Sequence, residues 1–122
     1  MPVYLIRGFL ILYGLIAILT SFHSMTEPYD PAVAPMADNS HRFIAAIWGS
    51  LALGFFYCAV NLQEVALFRF LMIALFIGGI VRAIALVHYA PTPIIWAVIG
   101  LELIPTPILW YLHTQWLGAH VA

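Results

Sequence analysis

The sequence has no lysine, a single cysteine and very little charge of either sign: of 122 residues, only 7% are Asp, Glu, Lys or Arg. A soluble domain of this length needs roughly a quarter of its residues charged to cover its surface, so that class is excluded. The four cations, Arg7, Arg42, Arg69 and Arg82, are scattered along the chain. No basic stripe exists for nucleic acid to bind. Cys58 has no second cysteine to pair with, which excludes an internal disulfide and a CxxC redox pair, and in its apolar run it reads as a buried, inert thiol. A nucleophile elbow and a glycine-rich phosphate loop are also missing. No cofactor is indicated, and whether the chain is an enzyme stays open.

What is present is apolar: 65% of the residues are hydrophobic and the mean hydropathy is +1.04. This is the composition of a membrane protein. A bilayer span needs about 20 largely apolar residues, and four segments qualify, at about 3–22, 39–60, 67–87 and 94–113. The first could imitate a signal peptide, with Arg7 followed by GFLILYGLIAIL. The nearest small-x-small site, Ala32 to Ala34, lies too far downstream for cleavage, so the segment reads as a retained first span. The connection 23–38 carries Pro28, Pro31 and Pro35 with Glu27, Asp30 and Asp38, the composition of a water-facing loop. The later connections are short, which makes helices two, three and four antiparallel neighbours. The expected fold is all-α: one domain over residues 1–122, an integral membrane up-down four-helix bundle with helix four kinked by prolines.

Arg7 and Arg69 fall on the side of the N-terminus and second loop, and the three loop acids fall on the other. By the positive-inside rule, both termini are expected in the cytoplasm and the acidic loop outside. Small residues mark the packing seams: Gly14, Ala17 and Ser21; Ala46, Ser50 and Gly54, with Ala45 and Gly49; Ala74 and Gly78, with Gly79 and Ala83. Trp96, Trp110 and Trp116 read as interfacial anchors.

Two charges stand where apolar residues are expected. Arg82 lies six residues before His88, roughly 9 Å below the outer end of helix three; Glu102 lies eight after Ile94, roughly 12 Å below the same surface. Ionisable groups at membrane depth face inward and pair, so an Arg82–Glu102 pair is expected between helices three and four. The motif PTPIIW at 91–96 returns as PTPILW at 105–110. Pro105 and Pro107 cannot donate to the carbonyls of Leu101 and Leu103, which puts released acceptors beside Glu102. Asn39 and Arg42 open helix two on the same outer side, so Asn39, Arg42, Arg82 and Glu102 form the candidate cluster. Two arginines face one glutamate there, unless Asp38 folds in to neutralise one.

Two readings of the cluster stand side by side: a polar bolt that fixes helix register, or a site for an amphiphile with an anionic or hydrogen-bonding head. His23, His41 and His88 with Met25 and Met36 have the donor chemistry for copper. They lack paired ligand spacing, and no metal site is expected. Three functions follow in order: binding of a lipid-like or isoprenoid molecule; a non-catalytic accessory subunit of a larger membrane complex, or a homo-oligomer, joined through small-residue and aromatic faces; a small membrane enzyme using Glu102.

With these residues in place the chain resembles a family of small bacterial four-helix membrane proteins known as domain of unknown function 4345. The resemblance covers nearly the whole chain. It rests on length, helix count, Asn39 and Arg42 in NSHRF, Arg82 in GGIVR and Glu102 in GLELIP. It implies a bacterial inner-membrane protein and carries no reaction with it.

Overall fold

The computed structural model describes residues 2–120. They form five helices and, among the described residues, no strand: α1 Pro2–Thr26, α2 Pro35–Val60, α3 Val65–Ala85, α4 Pro93–Leu103 and α5 Pro105–His120. Proline fixes φ near the helical value and lacks the N–H that a first helical turn leaves unused. It accordingly starts α2, α4 and α5. Thr92 caps α4 by accepting the Ile95 N–H at 3.3 Å. The break between α4 and α5 is one residue, Ile104, which keeps right-handed helical dihedrals. The pair is one span bent at Pro105, as the prolines predict.

Counting α4 and α5 as one span, the described residues contain four helices long and apolar enough to cross a bilayer. Large side chains such as Leu19, Leu53, Ile84 and Ile94 are more than 60% exposed along them. That surface is stable only against hydrocarbon. The chain is a multi-pass membrane protein.

Contacts divide the chain into two compact units, residues 7–61 and residues 62–122 together with 1–6. In the first, α1 and α2 run antiparallel. Thr20 lies against Trp48, Ser21 against Gly49, Tyr13 against Phe55 and Gly14 against Phe56. The glycines are the closest points. A Cβ on Gly14 would fall 2.5 Å from the Phe56 ring, and one on Gly49 would fall 2.8 Å from Ser21 Cβ. The expected small-residue seam therefore holds at these positions.

In the second unit α3 packs against both α4 and α5. Phe68, Leu71, Met72, Leu75 and Gly79 form its buried stripe at helical spacing. From Leu86 the chain leaves α3 through tightened turns, with Leu86, Val87 and His88 each donating to the carbonyl three residues back. The helix therefore ends at Ala85, and Arg82 lies in its last turn.

Candidate functional site

The Arg82–Glu102 pair forms. Arg82 Nε donates to Glu102 Oε1 at 2.8 Å across the α3–α4 interface. Backbone geometry aims the two side chains at each other. In a helix every Cα–Cβ bond tilts toward the N-terminus. For α3 that direction leads away from the 86–92 turn into the membrane, and for α4 it leads back toward the turn. Arg82 is about 4.5 Å inside the end of α3, and Glu102 about 13.5 Å inside the start of α4, at 1.5 Å per residue. An arginine one turn from the helix end ordinarily snorkels outward. Here it reaches inward to the carboxylate.

Two adjacent glycines make room for this. A Cβ on Gly79 would lie 2.8 Å from Leu103 Cδ2 and 3.0 Å from Glu102 Cβ. Gly79 thus sets how near α4 comes. On the other side of the carboxylate, Glu102 Oε2 lies 4.0 Å from where a Gly78 Cβ would stand. At the bend, the buried Thr106 hydroxyl donates to the Glu102 carbonyl at 2.8 Å, tying the backbone of the acid to α5.

The two partners differ sharply in environment. Glu102 is 8% exposed, whereas the side chain of Arg82 is 54% exposed. Only Nε of the guanidinium is engaged; among the described residues neither Nη has an acceptor. Arginine carries five donors in a planar fork suited to carboxylate and phosphate. Four of them remain open at the edge of the hydrocarbon.

Arg42 is used differently. Within its own unit its Nε donates to Asp38 at 2.9 Å, Nη1 to the carbonyl of Met25 at 2.9 Å and Nη2 to that of Glu27 at 2.7 Å. Asp38 does fold in, and the arginine fastens the end of α1 to the start of α2. A cavity of about 390 Å³ lies beneath this strap, lined by Glu27, Asp30, Asp38, His41 and Arg42 among others. Asn39 is exposed. Arg82 and Glu102 are thus brought together in one unit, while Arg42 is tied to Asp38 in the other. Among the described residues no group of three His, Cys, Asp or Glu side chains is placed to hold a metal ion.

Two features of the second unit were not anticipated. His113, the last residue of the fourth span expected from sequence, is 1% exposed. Its Nε2 lies 2.6 Å from the Leu62 carbonyl, and its ring stacks on Phe68 at 3.9 Å. Around Trp110 the helix does not stop either: α5 continues ten residues beyond it to His120. The Arg69 guanidinium packs over the Trp110 ring at 5.1 Å. The legible signal was the spacing of Thr106, Leu109 and His113, which are all buried on one face of α5.

The family model described as Domain of unknown function (DUF4345) matches residues 5–113, a stretch that includes Arg42, Arg82 and Glu102. No curated protein matches the chain, and no solved structure does.

Proposed function

The chain belongs to the DUF4345 family of unknown function, and within that frame we propose that it binds a lipid-like or isoprenoid amphiphile through Arg82. The observation that carries this reading is the half-exposed guanidinium with one donor on a buried carboxylate and both Nη groups open. Unmet donors at membrane depth are costly and need an acceptor. A phosphate or carboxylate head supplies one in the geometry the fork prefers. Glu102 holds the fork in place and cancels its charge, so the ligand is held through hydrogen bonds more than through net attraction. The apolar surface around it suits a hydrocarbon tail.

The same proposal places the protein in a bacterial inner membrane with both termini cytoplasmic. Arg7 and Arg69 lie toward one side, while Glu27, Asp30 and Asp38 lie toward the other. On that orientation the Arg82 site opens toward the outer leaflet.

The test is mass spectrometry of what co-purifies in mild detergent, for the native chain and for Arg82→Met. A binder retains one amphiphile class in near-stoichiometric amount and loses it in the variant. Identical lipid content in both proteins sinks the reading. Recovery of a larger protein assembly in its place favours an accessory subunit.

A further inference from the structure

A second arginine of the same unit, Arg69, has no ion-pair partner among the described residues. Arg69 Nε is buried and, among the described residues, makes no hydrogen bond. Its guanidinium lies over Trp110. Arg69 stands four residues into α3, about 6 Å from the helix start. Its Cα–Cβ bond tilts toward that start, and therefore toward the nearby membrane surface. This is the reverse of Arg82, which is turned inward.

Trp110, under the Arg69 guanidinium, is also a wall of a groove. Ile73, Phe76 and Ile77 follow Arg69 at i+4, i+7 and i+8, on one face of α3. They line an apolar cavity of about 370 Å³ with Thr106, Pro107 and Trp110 of α5. Its floor is tight, since Met72 and Thr106 are buried, while Ile73 and Ile77 are about half-exposed on its rim. The feature is thus a hydrocarbon trough with Trp110 on its wall, and the Arg69 guanidinium packs over that ring.

We infer that this trough is a binding site for an anionic phospholipid of the adjacent leaflet, its phosphate on Arg69 and one acyl chain along the α3–α5 groove. Charge selects the head. Arg69 has no carboxylate partner among the described residues, so its charge is left for an anionic head. Size selects the tail. A volume of this order is at the low end for small-molecule sites and takes one chain, whereas a neighbouring helix is about 10 Å across. The site is separate from Arg82 and stands whether or not that reading survives.

The test uses the full chain in phosphatidylcholine vesicles, titrated with brominated-chain phosphatidylglycerol or brominated-chain phosphatidylcholine while tryptophan fluorescence is followed. Quenching that Trp110→Phe removes reports the trough. The anionic lipid is expected to be preferred about fivefold, the weight of one basic residue near an anionic surface. Arg69→Met abolishes the preference, and Arg82→Met leaves it unchanged. Ile77→Phe fills the groove and weakens both lipids. Equal binding of the two lipids by the native chain overturns the proposal, as does a preference that survives Arg69→Met. A co-purifying protein that shields Trp110 does so too. Where Arg69→Met does not fold, Ile77→Phe decides, and unchanged quenching in that variant is the overturning result.

Discussion

Gly79 and Leu103 meet so closely that no methyl group fits between them: a Cβ on the glycine would stand 2.8 Å from Leu103 Cδ2 and 2.9 Å from Cγ. Three residues along α3, Arg82 reaches the carboxylate next to Leu103. The glycine therefore sets the helix separation at which a single N–H···O bond of 2.8 Å can span the interface. Replacing Gly79 with Val pushes α4 outward and should cost about 1–3 kcal/mol, the usual range for overpacking. Gly78→Ala is its control, because the nearest atom to the new methyl is Glu102 Oε2 at 4.0 Å. Thermal unfolding in detergent should separate the neighbours clearly; equal melting points would refute this account of the seam.

The two ends of the ion pair should not be equivalent. Arg82→Met strands a carboxylate that is 8% exposed. Loss of one partner from a fully buried pair costs roughly 3–5 kcal/mol, and the half-exposed arginine brings this down to about 2–3. Glu102→Gln keeps an acceptor for Nε, and the released arginine is one turn from water, so about 1 kcal/mol is expected. A double-mutant cycle measures the coupling. A larger loss from Glu102→Gln than from Arg82→Met would contradict the burial asymmetry.

Arg42 makes three bonds in three directions, to Asp38 and to the carbonyls of Met25 and Glu27. Lysine has the charge without the fork. Arg42→Lys should therefore loosen the segment 27–34 while leaving the spans intact. Limited proteolysis or amide exchange there should quicken severalfold, and Asp38→Asn should have a smaller effect, because both carbonyl bonds remain. Unchanged protection in Arg42→Lys would show that the connection is held by other contacts.

What was legible in the sequence was what bilayer physics forces. An arginine and a glutamate in adjacent spans joined by a tight turn have few ways to avoid each other, and the pair was expected from position alone. Pro105 likewise announced the bend beyond α4. The helix ends were less legible. Apolarity marks where a chain crosses hydrocarbon and not where a helix stops. Thus α1 runs on to Thr26, whose hydroxyl bonds back to the Phe22 carbonyl at 2.7 Å, and α2 begins at Pro35 inside the stretch expected as loop. Sequence gives no direction to the Arg42 side chain, so its two carbonyl partners were not legible. The carbonyls that hold it come from Met25 in the last turn of α1 and from Glu27 just beyond it, and no sequence pattern marks that approach.

His113 carries the last prediction. A backbone carbonyl can only accept, so the nitrogen 2.6 Å from Leu62 O must carry a proton. The other nitrogen, Nδ1, is buried with no partner among the described residues. A proton there would need an acceptor that the packing of Phe68 and Trp116 does not offer. The neutral ring is therefore the Nε2–H tautomer, with a bare Nδ1. Nitrogen NMR of ring-labelled protein in bilayers should show one protonated and one unprotonated ring nitrogen, with Nε2 the protonated one. His113→Gln, whose amide can still donate to the same carbonyl, should keep the Leu62 end of α3 better protected from exchange than His113→Leu. Observation of the Nδ1–H tautomer would mean that the Leu62 carbonyl is not the partner that holds this ring.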